Sequence, residues 1–304
     1  MQKNKTIDLV ILTEPRYIRP NPDDNYTNNV YAEDQFVQDA LNELGLKTLR
    51  LSWDDKYFNW SSTKFILFRS TWDYFNRFQE FSKWLTKVSK QTTLLNSEKI
   101  IRWNIDKYYL LDLKNKGIHI AKTHFIKTGS NSTLKELHNT LNWKETVLKP
   151  CISGTARHTY KLNENNLGKH EAIFKTLITN EAMMLQPFQY NIVEKGEISM
   201  IVLNGKFTHA VLKIAKKGDF RVQDDFGGSV KMYIPTVEEI NFAEKAVKVC
   251  KELPIYARVD IFTDNDNQIA LSELELIEPE LWFRYFPQAA KILANKIKKR
   301  LEYL

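Results

Sequence analysis

Apolar and polar positions alternate along the chain in two distinct regimes. In the first, short unbroken apolar runs are followed by stretches of helical period. Ile7 to Leu12 reads as a buried strand, and Ala32 to Leu44 as an amphipathic helix that carries Phe36, Ala40, Leu41 and Leu44 and stops at Gly45. Phe65 to Phe68 is a second strand that runs into the polar loop Arg69-Ser70-Thr71-Trp72-Asp73, with another helical stretch to about Lys90. This alternation predicts an open α/β unit, whose ligands gather beyond the carboxyl ends of its strands.

From Ser97 the pattern changes. A helix is expected through Lys107, Leu110 and Leu113, ending at Gly117, followed by strands containing Phe125 and Val147 to Lys149. Beyond the apolar segment Met183-Met184-Leu185-Gln186-Pro187-Phe188 the chain turns strand-rich. Ile198 to Leu203 and Phe207 to Ile214 flank Asn204-Gly205, a pair that signals a hairpin. Strands at Tyr256 to Phe262 and Ile269 to Ile277 and a terminal helix close the chain, which holds no internal repeat and no low-complexity linker. The expected division is 1–96, 97–185 and 186–304.

The last two strands carry the most informative chemistry. With side chains alternating between faces, Arg258 and Asp260 share one face, and Glu273 and Glu275 share one face of the next strand. A hairpin centred between Asp266 and Asn267 sets Asp260 opposite Glu273, with Cβ atoms about 5 Å apart, where like charges repel unless a cation lies between them. Hard, oxygen-preferring magnesium suits such a site. The ordinary alternative is a solvated acidic edge, its charges paired by residues such as Arg258. Placing Glu273, Glu275 and Glu278 within six positions speaks against it.

Composition narrows the classes. A chain of 304 residues with 43% apolar residues buries a large core. The net charge of +7 comes from 44 basic and 37 acidic residues spread along the chain, which a nucleotide satisfies as well as RNA. The densest basic run, Lys291 to Arg300, interleaves Ile292, Leu293 and Ile297 and reads as a solvated helix face, so no nucleic-acid partner is expected. Cys151 and Cys250 form neither a disulfide framework nor a zinc motif, and the polar start followed by a short apolar run predicts neither a signal segment nor a membrane span. A cytoplasmic protein is expected.

Phosphoryl transfer needs cations and close-approaching backbone donors. Lys107, Lys149 at the end of a Val-Leu-Lys-Pro strand, and the loop Ser153-Gly154-Thr155-Ala156-Arg157 meet that description, although each signal alone is weak. There is no G-x-x-x-x-G-K-[ST] run, no G-x-G-x-x-G after a strand and no H-E-x-x-H, which removes P-loop, dinucleotide-fold and zincin readings.

The order of these features, a lysine, a strand lysine, a small-residue loop, an apolar hinge, an arginine, then Asp and Glu-x-Glu, resembles the ATP-grasp superfamily along almost the whole chain. More narrowly, Arg69-Ser70-Thr71-Trp72-Asp73-Tyr74, Asn96 to Lys107 and Glu273 to Pro279 resemble the glutathione-synthetase-like group that contains the cycloserine-forming cyclo-ligase. The resemblance implies an α/β (α+β) ATP-grasp fold, with an N-terminal open α/β domain and two α+β subdomains clasping ATP. It implies that Lys107 and Lys149 contact the phosphates, that the loop with Ser153, Gly154 and Thr155 closes over them, and that Gln186, Pro187 and Phe188 receive adenine, with Glu194 or Glu197 near the ribose. Lys213 and Arg221 would sit by the transferred phosphate and the substrate carboxylate, and Arg258 would join them as a catalytic cation. Asp260, Glu273 and Glu275 would hold two magnesium ions, where the family more commonly has Asn at the position of Glu275. Arg69, Ser70, Thr71, Asp73 and Glu278 would contribute to the substrate site.

The implied activity is an ATP- and magnesium-dependent carboxylate-amine ligase that works through an acyl phosphate on a small amino-acid-like substrate, as a cyclo-ligase or by joining two molecules. Its oligomeric state is left open, a homo-oligomer included. Two rivals come from other classes. A nucleotide-binding module without catalysis would bind ATP with no substrate-dependent ADP release. An RNA-binding protein would lose affinity steeply with salt and keep it when Glu273 is removed.

Overall fold

The computed structural model describes residues 5–154, 156–216, 218–219, 221–222 and 227–302. The first sheet is parallel, in the order β2-β1-β3-β4, from β1 (Ile7–Thr13), β2 (Thr48–Ser52), β3 (Thr63–Ser70) and β4 (Thr93–Leu95). Helices cover both faces, which is why β1 and β3 are apolar at successive positions. Leu9 and Ile11 pack with Val37 and Leu41 of α1 (Asn25–Glu43), whereas Val10 and Leu12 pack with Phe81 and Leu85 of α2 (Phe78–Val88). Helix α1 begins well before the expected Ala32. Its first turns are polar, so hydrophobic period does not reveal them, and they are started by the Asp24 carboxylate accepting from the Tyr26 and Thr27 amides.

The single helix expected through Lys107 is two, α3 (Glu98–Asn104) and α4 (Tyr109–Asn115), and Lys107 lies in the join. Its amide donates to Cys151 O at 2.9 Å instead of to a helical carbonyl, which ties the join to the loop entered from the next sheet. That sheet is antiparallel, in the order β5-β8-β6-β7, from β5 (His124–Ile126), β6 (Glu145–Pro150), β7 (Tyr160–Asn163) and β8 (Met183–Pro187). Leu148 and Leu185 bury one face against Leu137 of α5 (Leu134–Leu141) and Phe174 of α6 (Leu167–Asn180). The division expected at 185/186 falls inside β8.

After a short α7 (Tyr190–Lys195) comes the third sheet, also antiparallel, ordered β11-β10-β9-β12-β13. Its strands are β9 (Glu197–Leu203), β10 (Lys206–Ile214), β11 (Ser229–Tyr233), β12 (Tyr256–Thr263) and β13 (Ile269–Glu275). The expected Asn204-Gly205 turn joins β9 to β10, both residues having the positive φ that favoured two-residue hairpin turns require. Helix α8 (Val237–Lys248) packs beneath β9 and β12 together with α4, and α9 (Gln288–Glu302) returns to pack with α1.

Asn96 locks the first sheet to the third. Its side chain, 1% exposed, donates to Tyr256 O at 3.0 Å and Leu276 O at 2.8 Å and accepts from Ile255 N at 2.6 Å. Asn96→Ala strands three buried backbone groups, so we expect a stability loss on the order of 3 kcal/mol, read as a lower urea midpoint at unchanged slope.

Candidate active site

The acidic hairpin forms with Asp260 opposite Glu273, as its alternation predicts, but reaches that register by an indirect route. Thr263 pairs with Ile269 and Ile261 with Leu271, which centres the turn on Asp266; a bulge at Ser272 then shifts the pairing by one. Arg258, Asp260, Glu273 and Glu275 line a cleft of about 290 Å³ between the three sheets. Lys107, Lys149, Lys213 and Arg221 line the same cleft.

In the structure the opposed carboxylates are paired with protein cations. Asp260, 2% exposed, accepts from Ser199 Oγ at 2.7 Å, Arg258 Nε at 3.0 Å and Lys213 Nζ at 3.1 Å. Burial favours its neutral form, yet Arg258 and Lys213 outweigh that and hold the carboxyl well below the usual range. Lys213 also pairs with Glu197 at 2.6 Å, Lys107 pairs with Glu273 at 2.8 Å, and Arg258 bonds Glu275.

Compensation is incomplete on the acidic side. Burial, with repulsion from Glu273 and Asp260, pushes Glu275 up to about 8 despite Arg258, and burial pushes Glu278 up to about 7. No three His, Cys, Asp or Glu side chains among the described residues are grouped so as to hold a metal ion. The donor set of Glu273 and Glu275 is nevertheless all oxygen and carries negative charge in excess, which fits a hard divalent cation. On the basic side, Lys149 has no carboxylate within ion-pair distance among the described residues; burial lowers its pKa, and Lys107 adds repulsion.

Part of the cleft lining is apolar. Gln186, Pro187 and Phe188 belong to the lining, with Val147, Ile192 and Phe262. Gln186 Nε2 donates to Thr123 Oγ1 at 2.8 Å, and Lys161 Nζ lies 3.6 Å from the Phe188 ring centre. Ser153 and Gly154 form part of the cleft wall, while Thr155 lies outside the described residues. Gly154 has a local reason: a Cβ there would come within 2.6 Å of Phe75 Cε1. We expect Gly154→Ala to weaken ATP-dependent turnover about tenfold by displacing the loop, and Phe75→Ala to restore part of it, as a double-mutant cycle on kcat/KM would read.

Several expected residues lie elsewhere. Glu194 is exposed on α7 and does not line the cleft, whereas Glu197 does. Arg69, Ser70, Thr71 and Asp73 are also outside it. Arg69, 2% exposed, pairs with Glu33 at 3.1 Å and Asp34 at 3.5 Å; Ser70 Oγ bonds Thr13 Oγ1 at 2.7 Å and Asp34 at 3.0 Å; Thr71 is fully buried. Asp73 accepts from Trp53 Nε1 at 2.7 Å and pairs with Arg77 at 2.8 Å. The same segment instead presents Trp72, Tyr74 and Phe75 to the cleft. Sequence reasoning also missed Ser199, whose position on β9 opposite Asp260 follows from the pairing of two strands distant in the chain.

Residues 9–96 match the family model for the N-terminal domain of D-cycloserine synthetase DcsG, and residues 106–276 match that for the RimK-like ATP-grasp domain. The cycloserine biosynthesis protein DcsG of Streptomyces lavendulae is 25% identical over 287 residues, spanning 87% of this chain and 92% of that protein. A crystal structure of D-cycloserine synthetase DcsG superposes with a TM-score of 0.84 at 23% identity, covering 96% of this chain and 99% of that one. D-alanine–D-alanine ligase from Bacillus anthracis superposes at 0.67 with 12% identity, covering 98% of each chain. Among the described residues no helix is long and apolar enough to cross a membrane.

Proposed function

This chain belongs to the RimK-like ATP-grasp family and is an ATP-dependent bond-forming enzyme; within that class we propose that it joins a carboxylate to a nitrogen nucleophile, through an acyl phosphate, on a small amino-acid-like substrate. The observation that carries the reading is Lys149, a cation without a carboxylate at ion-pair distance among the described residues, beside a crowded acidic strand end in one cleft. A polyanion that brings its own cations answers both halves of that imbalance.

In this reading the lining at Gln186, Pro187 and Phe188 takes the adenine, and Lys149 and Lys107 receive the phosphates. Asp260 keeps Lys213 and Arg258 oriented, and Arg221, which lines the cleft and is paired with Asp219 at 2.7 Å, attracts the substrate carboxylate. Magnesium fits Glu273 and Glu275, with Asp260 behind them, and when bound it supplies neutralisation of phosphate charge. A carboxylate resists attack because it is negative and oxide leaves poorly; phosphorylation makes phosphate the leaving group. Ser153 and Gly154 lie where a closing loop would keep water from the activated carbonyl.

The three sheets then divide the work: the parallel sheet for the substrate, the second sheet through β8 as the lid, and the third sheet for the metal. The match of residues 9–96 to the DcsG N-terminal domain supports an amino-acid derivative and an intramolecular ring closure over a peptide. The cytoplasm supplies the ATP such a reaction needs.

An ADP-release screen over amino acids, their ureido derivatives and short peptides, with mass spectrometry of products, tests the reading. ADP and a product lighter than its substrates by one water are expected with an amino-acid derivative. ATP binding without ADP release in any combination would favour a non-catalytic module.

A further inference from the structure

Four carboxylates stand at the end of β13 and just beyond it, and three of them have cations: Glu273 has Lys107, Glu275 has Arg258 and Glu280 has Arg284. Glu278 has no ion-pair partner among the described residues; its side chain is hydrogen-bonded to the Tyr74 phenol. Burial and the neighbouring carboxylates keep Tyr74 far above its ordinary pKa, so the phenol stays a neutral donor. Trp72 Nε1 donates to Glu278 O at 2.8 Å, which fixes the backbone, and both residues line the cleft.

A carboxylate that lines a reaction cleft, is aligned by a neutral donor and has no cation at ion-pair distance among the described residues suits proton transfer better than charge clamping. Resting on the ligase reading, we infer that Glu278 is the catalytic base that takes the proton from the nitrogen nucleophile as it attacks the acyl phosphate. In that step the C–N bond forms, the C–O bond to phosphate breaks with its electron pair leaving on phosphate, and the proton passes from nitrogen to a Glu278 carboxylate oxygen.

The groups facing Glu278 are Tyr74 beyond β3, Lys107 in the α3–α4 join, Tyr256 on β12, and Glu273 and Glu275 on β13. Together with burial they put its titration at about 7, so the base form grows as pH rises through neutrality and ligation falls below it.

Hydroxylamine separates the two half-reactions, because it is unprotonated at neutral pH and traps an acyl phosphate without a base. With ATP, magnesium and each amino acid plus O-ureidoserine as probes, wild type should give both ligation and hydroxamate. Glu278→Gln should lower the kcat of ligation by about 10²- to 10⁴-fold, keep hydroxamate formation near the wild-type rate and lose the acid limb near pH 7. Glu278→Asp should recover part of the loss. Equal loss of ligation and hydroxamate, a change confined to KM for the nitrogen-bearing substrate, or unchanged ligation would each overturn the assignment. Absence of ADP release and hydroxamate in wild type would instead defeat the ligase reading, and this inference with it.

Discussion

Lys149→Ala is expected to abolish substrate-dependent ADP release while leaving the fold at least as stable as wild type. Lys149 is the next-to-last residue of β6, which ends at Pro150, so its side chain reaches the cleft from a rigid element. Burial disfavours its charge and Lys107 repels it, while Glu273 and Glu197 attract it without closing an ion pair among the described residues; a bound anion would complete the compensation. Truncation removes a preorganised contact to charge developing on the transferred phosphoryl group, so kcat should fall by about 10²- to 10³-fold or more. A coupled ADP assay reads the loss, and an unchanged or raised Tm separates it from unfolding. Glu273→Ala should lose turnover to a similar extent, by removing a carboxylate that would turn from its 2.8 Å partner Lys107 to hold the metal.

The second large effect concerns Asp260, where truncation should cost stability as well as activity. Its carboxylate is held by Ser199, Arg258 and Lys213, and removing it leaves two buried cations with one carboxylate each, Glu275 and Glu197. Asp260→Ala should cost about 3–5 kcal/mol, the range for breaking a buried ion pair from one side. The sign with pH follows from its depressed pKa: the stabilisation is fully present above the ordinary Asp value of about 4 and is lost as pH falls toward the folded value. Wild type and Asp260→Ala should therefore converge in urea midpoint as pH drops below about 4, and stay separated at neutral pH.

Periodicity carried much of this site in advance. Strict alternation on β12 and β13 put Arg258, Asp260, Glu273 and Glu275 on one face, because a single-residue slip would have turned apolar neighbours such as Val259 and Leu274 out of the core. What periodicity does not carry is partnership between distant segments. Lys107 and Lys213 meet Glu273 and Asp260 across long stretches of chain, so the acidic strand end looked bare of cations when only Arg258 was in view. The join at Lys107 was hidden for the same reason, since Cys151, far along the chain, accepts its amide.

The polar loop after β3 shows a different limit. Arg69 and Ser70 sit where an α/β sheet offers its ligands, yet Glu33 and Asp34 of α1 meet them, and Glu33 also accepts the Leu281 and Phe283 amides at 2.7 and 2.9 Å. Both acids stand on the buried side of an apolar-patterned helix, which is the one hint the sequence held. Glu194 and Glu197, three positions apart, part company because Glu194 belongs to exposed α7 and Glu197 opens β9.

The central claim is that the imbalance of charge in the cleft exists to receive a magnesium nucleotide. A crystal structure with a non-hydrolysable ATP analogue and magnesium tests it most directly. The account predicts the phosphates on Lys149, the base against Gln186 to Phe188, and Glu273 and Glu275 turned from Lys107 and Arg258 onto metal. A nucleotide bound elsewhere, or bound here with both carboxylates still on their basic partners and no metal beside them, would contradict it.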